Sequence, residues 1–164
     1  MLKGIDPLLA PGLLGWLGQM GHGDVLAVVD RNYPCHGRGQ RRVWEAPGQS
    51  VDDMVVAVLG VMPLDAFVDA PLVHMLVDDG SDGPALAGIH ALSRRVEGRE
   101  VGTRGVRRDP DFYDEAATAY ATVHTGDDRP QRLLPPPQRR GVARRAEPEA
   151  VETHRRDRLS PWSP

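Results

Sequence analysis

The sequence predicts an α/β fold. Two short apolar runs, 25–30 and 72–77, read as buried strands. Around them lie segments with apolar residues at helical spacing, bounded by helix start and stop signals. Strand and helix patterns alternate along residues 1–126, and no internal repeat divides them.

Pro11 suits the first turn of a helix, and Leu13, Leu14, Leu17 and Met20 continue at helical spacing until Gly21 stops it. Gly12, Gly15 and Gly18 weaken that helix, so it must lean on packing. The run from Val25 to Asp30 follows as a strand, then a Gly- and Arg-rich loop over 31–42 and a short strand at Val43-Trp44. Ser50 with Asp53 makes a capping-box-like start. The helix it opens runs to about Leu59, with Met54, Val55, Val58 and Leu59 on one side. The second strong strand runs from Leu72 to Val77 and leads into a turn cluster, DDGSDGP. A helix over 85–96 and a weak strand over 101–106 come next. Asp109 is expected to cap a helix with Pro110 at its first position, reaching about Ala119. Residues 120–124 form a closing strand.

The bulk numbers narrow the function classes. The chain has 164 residues, the size of one ordinary domain, with 40% hydrophobic and 26% charged residues. A net charge of −3 gives no general basic field, so nucleic acid is not expected as a partner. No apolar run is long enough to cross a bilayer, so no membrane partner is expected either. The N-terminal MLKGIDPLLAPG is read as lacking a secretory leader, and the lone Cys35 suits a reducing compartment. A cytoplasmic location is therefore expected.

The average conceals a break. Residues 127–164 hold nine of the 20 basic residues, all Arg, and seven of the 15 prolines. That segment carries net +3 and leaves −6 for residues 1–126. It has no sustained apolar period, and Pro135-Pro136-Pro137 can neither continue a helix nor donate to a sheet ladder. It is expected to be a disordered, solvated tail beyond a domain of residues 1–126.

The chemistry-bearing stretch is MGHGDVLAVVDRNYPCHG, Met20 to Gly37. His22 stands between two glycines, which permit a sharp turn and close approach of a ligand. An exposed imidazole gives and takes protons near neutrality. The same spacing fits a surface loop histidine. Asp30 ends the apolar strand, at the kind of strand end where ligands bind in open α/β sheets, although capping aspartates are common there too. Asn32, Cys35 and His36 follow in the loop. Adjacent Cys35-His36 is poor metal-ligand spacing, so no metal is expected. His74, inside an apolar strand, reads as a core histidine, and His90 as a helix-face residue. No GxGxxG or GxxxxGK[ST] opens a helix after a strand, so no nucleotide cofactor is expected.

Five stretches together resemble one family: MLKGIDPLLAPGLL, QMGHGD, VVDRNYPCH, MPLDAFVDAPLV and FYDEAATAYATVHTGD. Their order and spacing are similar to those of the RbsD/FucU family of L-fucose mutarotases and D-ribose pyranases. The PLD…VDAP segment points to the fucose branch. The resemblance implies a single RbsD-like α/β domain with a central sheet flanked by helices. It further implies homo-oligomeric rings, commonly decamers, with monosaccharide sites between subunits and no cofactor or metal. By the same resemblance His22 is the catalytic residue and Asp30 binds sugar. Asn32 and His36 line the site. Counted back from Phe112-Tyr113, the family's arginine falls on Asp109; a one-residue shift gives its role to Arg108, with Arg107 as the alternative.

The resemblance stops after Thr125-Gly126-Asp127, where the family continues with a Tyr-Gly-Asn triplet and an apolar strand, and this chain reads Gln131-Arg132-Leu133. The break is expected to come from a reading frame shifted near Pro130. Loss of that strand would leave a neighbour without its ladder partner and remove one wall of the sugar site. The expected function is interconversion of the α and β anomers of L-fucose or a related sugar. The alternatives are a D-ribose pyranase and a catalytically silent sugar-binding or oligomeric relative.

Overall fold

The computed structural model describes residues 2–83, 86–129 and 132–134. In chain order its elements are α1 (Pro11–Leu17), β1 (Leu26–Val29), β2 (Val43–Ala46), α2 (Val51–Leu59), β3 (Leu72–Met75), α3 (Leu86–Glu97), β4 (Thr103–Val106), α4 (Tyr113–Ala117), β5 (Ala121–Thr125) and β6 (Arg132–Leu134). The strands form one sheet in the order β2-β5-β1-β6-β3-β4. β5 runs parallel to β1 and β2, and β3 parallel to β4. β6 is antiparallel to both of its neighbours, β1 and β3. The carboxyl ends of the other five strands therefore share one edge of the sheet, and their amino ends share the opposite edge.

β1 is buried along its whole length because both faces of the sheet are covered. Leu26 and Val28 pack into a core with α1, α2 and α3 residues such as Leu13, Met54, Val58 and Ile89. Val25, Ala27 and Val29 face the other way, onto Tyr33, Cys35, Phe112 and Ala116. The two-residue alternation of a strand thus feeds two cores from one run. α2 forms as its cap predicts: the Asp53 backbone N–H donates to Ser50 Oγ at 3.1 Å. Met54, Val55, Val58 and Leu59 are buried on it, each worth about 1.5–3 kcal/mol of apolar burial.

Three expectations need correction. The first helix ends at Leu17, with Gly18 as its cap, and not at Gly21. Asp109 is extended (φ −131°, ψ 130°) and joined to Pro110 by a cis peptide; a wide turn spans 108–112 and the helix proper runs only from Tyr113 to Ala117. Most consequential, the sheet does not end at residue 126. The Asp127 carboxylate accepts the Val51 N–H at the start of α2 at 3.0 Å, and the Arg31 N–H donates to the Asp127 carbonyl. β6 then pairs Leu133 with both Val28 and His74, so the inner strands keep their ladder partners. A three-residue strand is too short to show a period, which is why this stretch reads as tail. The remaining tail, 135–164, and Pro130, where the frame shift was expected, lie outside the described residues.

Candidate functional site

His22 sits at the amino edge of the sheet, in the turn that leads into β1. Asp24 clasps this turn: its Oδ2 accepts the Gly21 N–H at 2.9 Å, and its own N–H donates to the Gly21 carbonyl at 3.0 Å. Gly23 has φ +88°, a backbone state that only glycine takes without cost. The His22 side chain is 70% exposed. It opens on a cleft of about 430 Å³ lined by Met20, Met62, Leu64, Asp65, Phe67 and Pro71 among others, a volume within the usual range for small-molecule sites. Within the cleft His22 Nδ1 lies 3.5 Å from Asp65 Oδ2. The Phe67 ring meets the imidazole edge-on at 5.3 Å.

The segment that carries Asp65 is held from behind. The Leu64 N–H donates to Glu97 Oε1 and Arg99 donates to the Leu64 carbonyl, both at 2.9 Å. Gly102 packs so closely on this segment that a Cβ there would run into the Asp69 carbonyl oxygen. Asp65 Oδ1 accepts the Phe67 N–H at 2.8 Å, an Asx turn that fixes the carboxylate plane.

The other expected site residues lie at the carboxyl edge. Asp30 is fully buried, and its Oδ1 accepts the Asn32 N–H at 2.8 Å. Asn32 itself is exposed. His36 Nε2 pairs with Glu45 Oε1 at 3.0 Å, and Glu45 Oε2 pairs with His124 Nδ1 at 2.9 Å. The buried Nε2 of His124 has no hydrogen-bond partner among the described residues. Arg108 pairs with Asp78 at 2.7 Å, and Arg107 with Asp111. His74 is a core histidine whose Nε2 contacts Asp82 Oδ1 at 2.8 Å. Among the described residues no group of three or more His, Cys, Asp or Glu is placed to hold a metal ion.

One chain therefore does not bring His22 against Asp30. β1 lies between them, and its four residues alone span about 10–13 Å. Asp65, Phe67, Glu45 and His124 are the functional candidates that the linear sequence did not single out. Asp65 stands 43 positions from His22, and no local periodicity joins residues so far apart.

The RbsD / FucU transport protein family matches residues 3–131. This chain belongs to the RbsD/FucU family. An L-fucose mutarotase of Haemophilus influenzae (strain PittEE) is 36% identical over 137 residues, covering 77% of this chain and 88% of the relative. Among solved structures, the fucose mutarotase of Streptococcus pneumoniae in complex with L-fucose superposes with a TM-score of 0.72 at 30% identity, over 83% of this chain and 97% of that one. Bacillus subtilis RbsD complexed with D-ribose shares the fold at 15% identity, with a TM-score of 0.52 over 84% of this chain and 98% of that one. The identity is thus higher on the fucose side of the family. The match also runs past residue 126, in keeping with the place of Asp127 in the fold.

Proposed function

We propose that this RbsD/FucU-family chain is an L-fucose mutarotase that works in homo-oligomeric rings, at sites shared between protomers. The observation that carries the reading is His22: an exposed imidazole on a glycine turn, facing a cleft, with a carboxylate at its Nδ1. It is supported by 36% identity to an L-fucose mutarotase.

Mutarotation moves only protons. The ring oxygen gains one as its bond to the anomeric carbon breaks, and the anomeric hydroxyl loses one as it becomes the carbonyl. The aldehyde turns over, and closure reverses both transfers. His22 delivers and recovers the proton at the ring oxygen, a role open to an imidazole because its two ring nitrogens can give and take a proton. Asp30, as a carboxylate, accepts hydrogen bonds from sugar hydroxyls. Asn32, His36 and Arg108 sit at the same carboxyl edge and supply further polar contacts. Since Asp30 and His22 occupy opposite edges of one protomer, the complete site requires the amino edge of one chain to meet the carboxyl edge of its neighbour. No cofactor enters such a reaction. The single cysteine supports a site of action in the reducing cytoplasm.

Saturation-transfer NMR on equilibrated L-fucose tests the reading. The protein is expected to speed α–β exchange, and His22→Ala to lower the acceleration by about 10²–10⁴-fold. A folded wild-type chain that binds L-fucose without accelerating exchange would instead establish the silent sugar-binding relative. Faster exchange of D-ribose than of L-fucose would establish the pyranase.

A further inference from the structure

We propose that His36, Glu45 and His124 form a second proton-transfer unit, in which His36 takes up and returns the proton of the anomeric hydroxyl. The inference deepens the mutarotase reading and rests on it. Ring opening needs two groups at once, one that gives a proton to the ring oxygen and one that takes a proton from the anomeric hydroxyl. His22 serves the first place and leaves the second unfilled.

The three residues meet at the carboxyl edge of the sheet. β1, β5 and β2 pair so that Val29, His124 and Glu45 lie side by side, with Asp30 directly after Val29. Two strand spacings, about 10 Å, separate Val29 from Glu45. The loop after Asp30 brings His36 back to this row. Tyr33 and Cys35, both buried, anchor the loop, and the N–H groups of Tyr33, Cys35 and Gly37 close successive turns onto the Asp30, Tyr33 and Pro34 carbonyls. His36 ends against Glu45 with its side chain 75% exposed, where a ligand can reach it.

The hydrogen bonds fix where the protons sit. A carboxylate only accepts, so Glu45 Oε1 takes the proton-bearing Nε2 of His36 at 3.0 Å and Oε2 the proton-bearing Nδ1 of His124 at 2.9 Å. In a neutral His36 ring Nδ1 is then the unprotonated nitrogen. His124 Nε2 is buried with no hydrogen-bond partner among the described residues, so a proton there would be a buried donor without an acceptor. The proton that moves therefore belongs to His36, and His124 acts as a fixed donor that holds the carboxylate. As His36 Nδ1 takes the hydroxyl proton, the electrons of that O–H bond form the carbonyl. The bond from the anomeric carbon to the ring oxygen breaks, and the ring oxygen receives its proton from His22. The new imidazolium rests against Glu45, the arrangement by which an acid behind a histidine stabilises the charge the ring acquires. Closure of the ring returns both protons.

The test reads the saturating exchange rate and KM on L-fucose, which separate proton transfer from binding, and ¹⁵N NMR of the imidazole rings, which reads the tautomers. His36→Gln keeps an N–H for Glu45 but carries no base. It is expected to lower the saturating rate by about 10²–10⁴-fold with a far smaller change in KM. Glu45→Gln should lower the rate by about 10-fold or more. An amide offers one acceptor and one donor where the carboxylate offers two acceptors, so this variant should also turn the tautomer of one of the two rings. His124→Asn keeps a donor to Glu45 and should lose less rate than His124→Phe. His36 and Glu45 are exposed, so their variants are expected to fold, which circular dichroism checks. A His36→Gln chain with the wild-type saturating rate and a raised KM would overturn the proposal and make His36 a binding group. Loss of rate in His22→Ala beside full rate in His36→Gln overturns the proposal alone, whereas a wild-type chain that does not speed L-fucose exchange overturns the mutarotase reading with it.

Discussion

His22 and Asp30 occupy opposite ends of β1, one in the turn before the strand and the other just after its last residue. In the proposed shared site, a sugar that touches both residues spans two chains. Mixing His22→Ala protomers with Asp30→Asn protomers is expected to restore activity that neither variant has alone. Random pairing leaves about one shared site in four with both native residues. The measurement is α–β exchange of L-fucose after the two variants are dissociated and reassembled together. A mixture as inactive as its parts would place both residues in one chain's site, or make one of them dispensable to it.

Asp127 joins three elements at the carboxyl edge, and its ionisation is a stability term. The Arg129 guanidinium hydrogen-bonded to it, helped by the backbone N–H groups of Arg129 and Val51, holds its carboxyl down at about 2, against the opposing effect of burial. A carboxyl whose folded value lies below its unfolded one stabilises the fold at pH values above the unfolded value. That contribution fades as pH falls from about 4 to about 2. It amounts to about 1–2 kcal/mol. Asp127→Asn should therefore lower unfolding free energy at pH 6 by that order and converge with wild type near pH 2, as read by urea denaturation across the range. Equal stability of the two chains at pH 6 would show that the carboxylate contributes nothing.

Much of this architecture is legible in the linear order of residues. Ser50 and Asp53 announce α2, and the unbroken apolar run of β1 announces a strand covered on both faces. The glycines flanking His22 announce a turn. What stays hidden is whatever depends on distance in space. The contacts of Asp65 with His22 and of Glu45 with His124 join residues 43 and 79 positions apart in the sequence. The separation of His22 from Asp30 is itself legible, because an extended strand places its two ends on opposite edges of the sheet. β6 stays hidden because three residues among prolines and arginines carry no alternation.

The position of β6 gives a sharp test of where the domain ends. A chain ended at residue 126 loses Asp127, whose carboxylate accepts the first N–H of α2, and leaves β1 and β3 without the strand between them. Unpaired buried backbone groups cost roughly 1–3 kcal/mol each, and two ladders are exposed at once. That chain is expected to be insoluble or unfolded, whereas one ended at residue 134 should melt cooperatively. Circular dichroism and thermal unfolding distinguish them. A cooperative transition in the 126-residue chain would confine the folding unit to the residues before Asp127.

Phe67 is the large apolar side chain most open to solvent among the described residues, at 82% exposure, and it stands beside His22 at the mouth of the cleft. A ring this exposed offers a flat apolar surface to whatever enters the cleft. Its place suggests the occupant: the apolar face of a deoxy sugar resting on the ring while a hydroxyl-bearing edge meets His22. Phe67→Ala removes that surface, and with it one ring contact of His22, but leaves the imidazole itself and its hydrogen-bond partner in place, so the loss should fall on binding. An aromatic contact is worth about 0.5–1.5 kcal/mol, which corresponds to a rise in KM for L-fucose of about 2- to 10-fold, with the saturating rate held. Phe67→Leu should fall between. Exchange measured across L-fucose concentrations separates the two parameters. A lowered saturating rate at unchanged KM would mean that Phe67 steadies the imidazole and not the sugar. A lower sedimentation coefficient at unchanged KM would assign it to the contact between protomers.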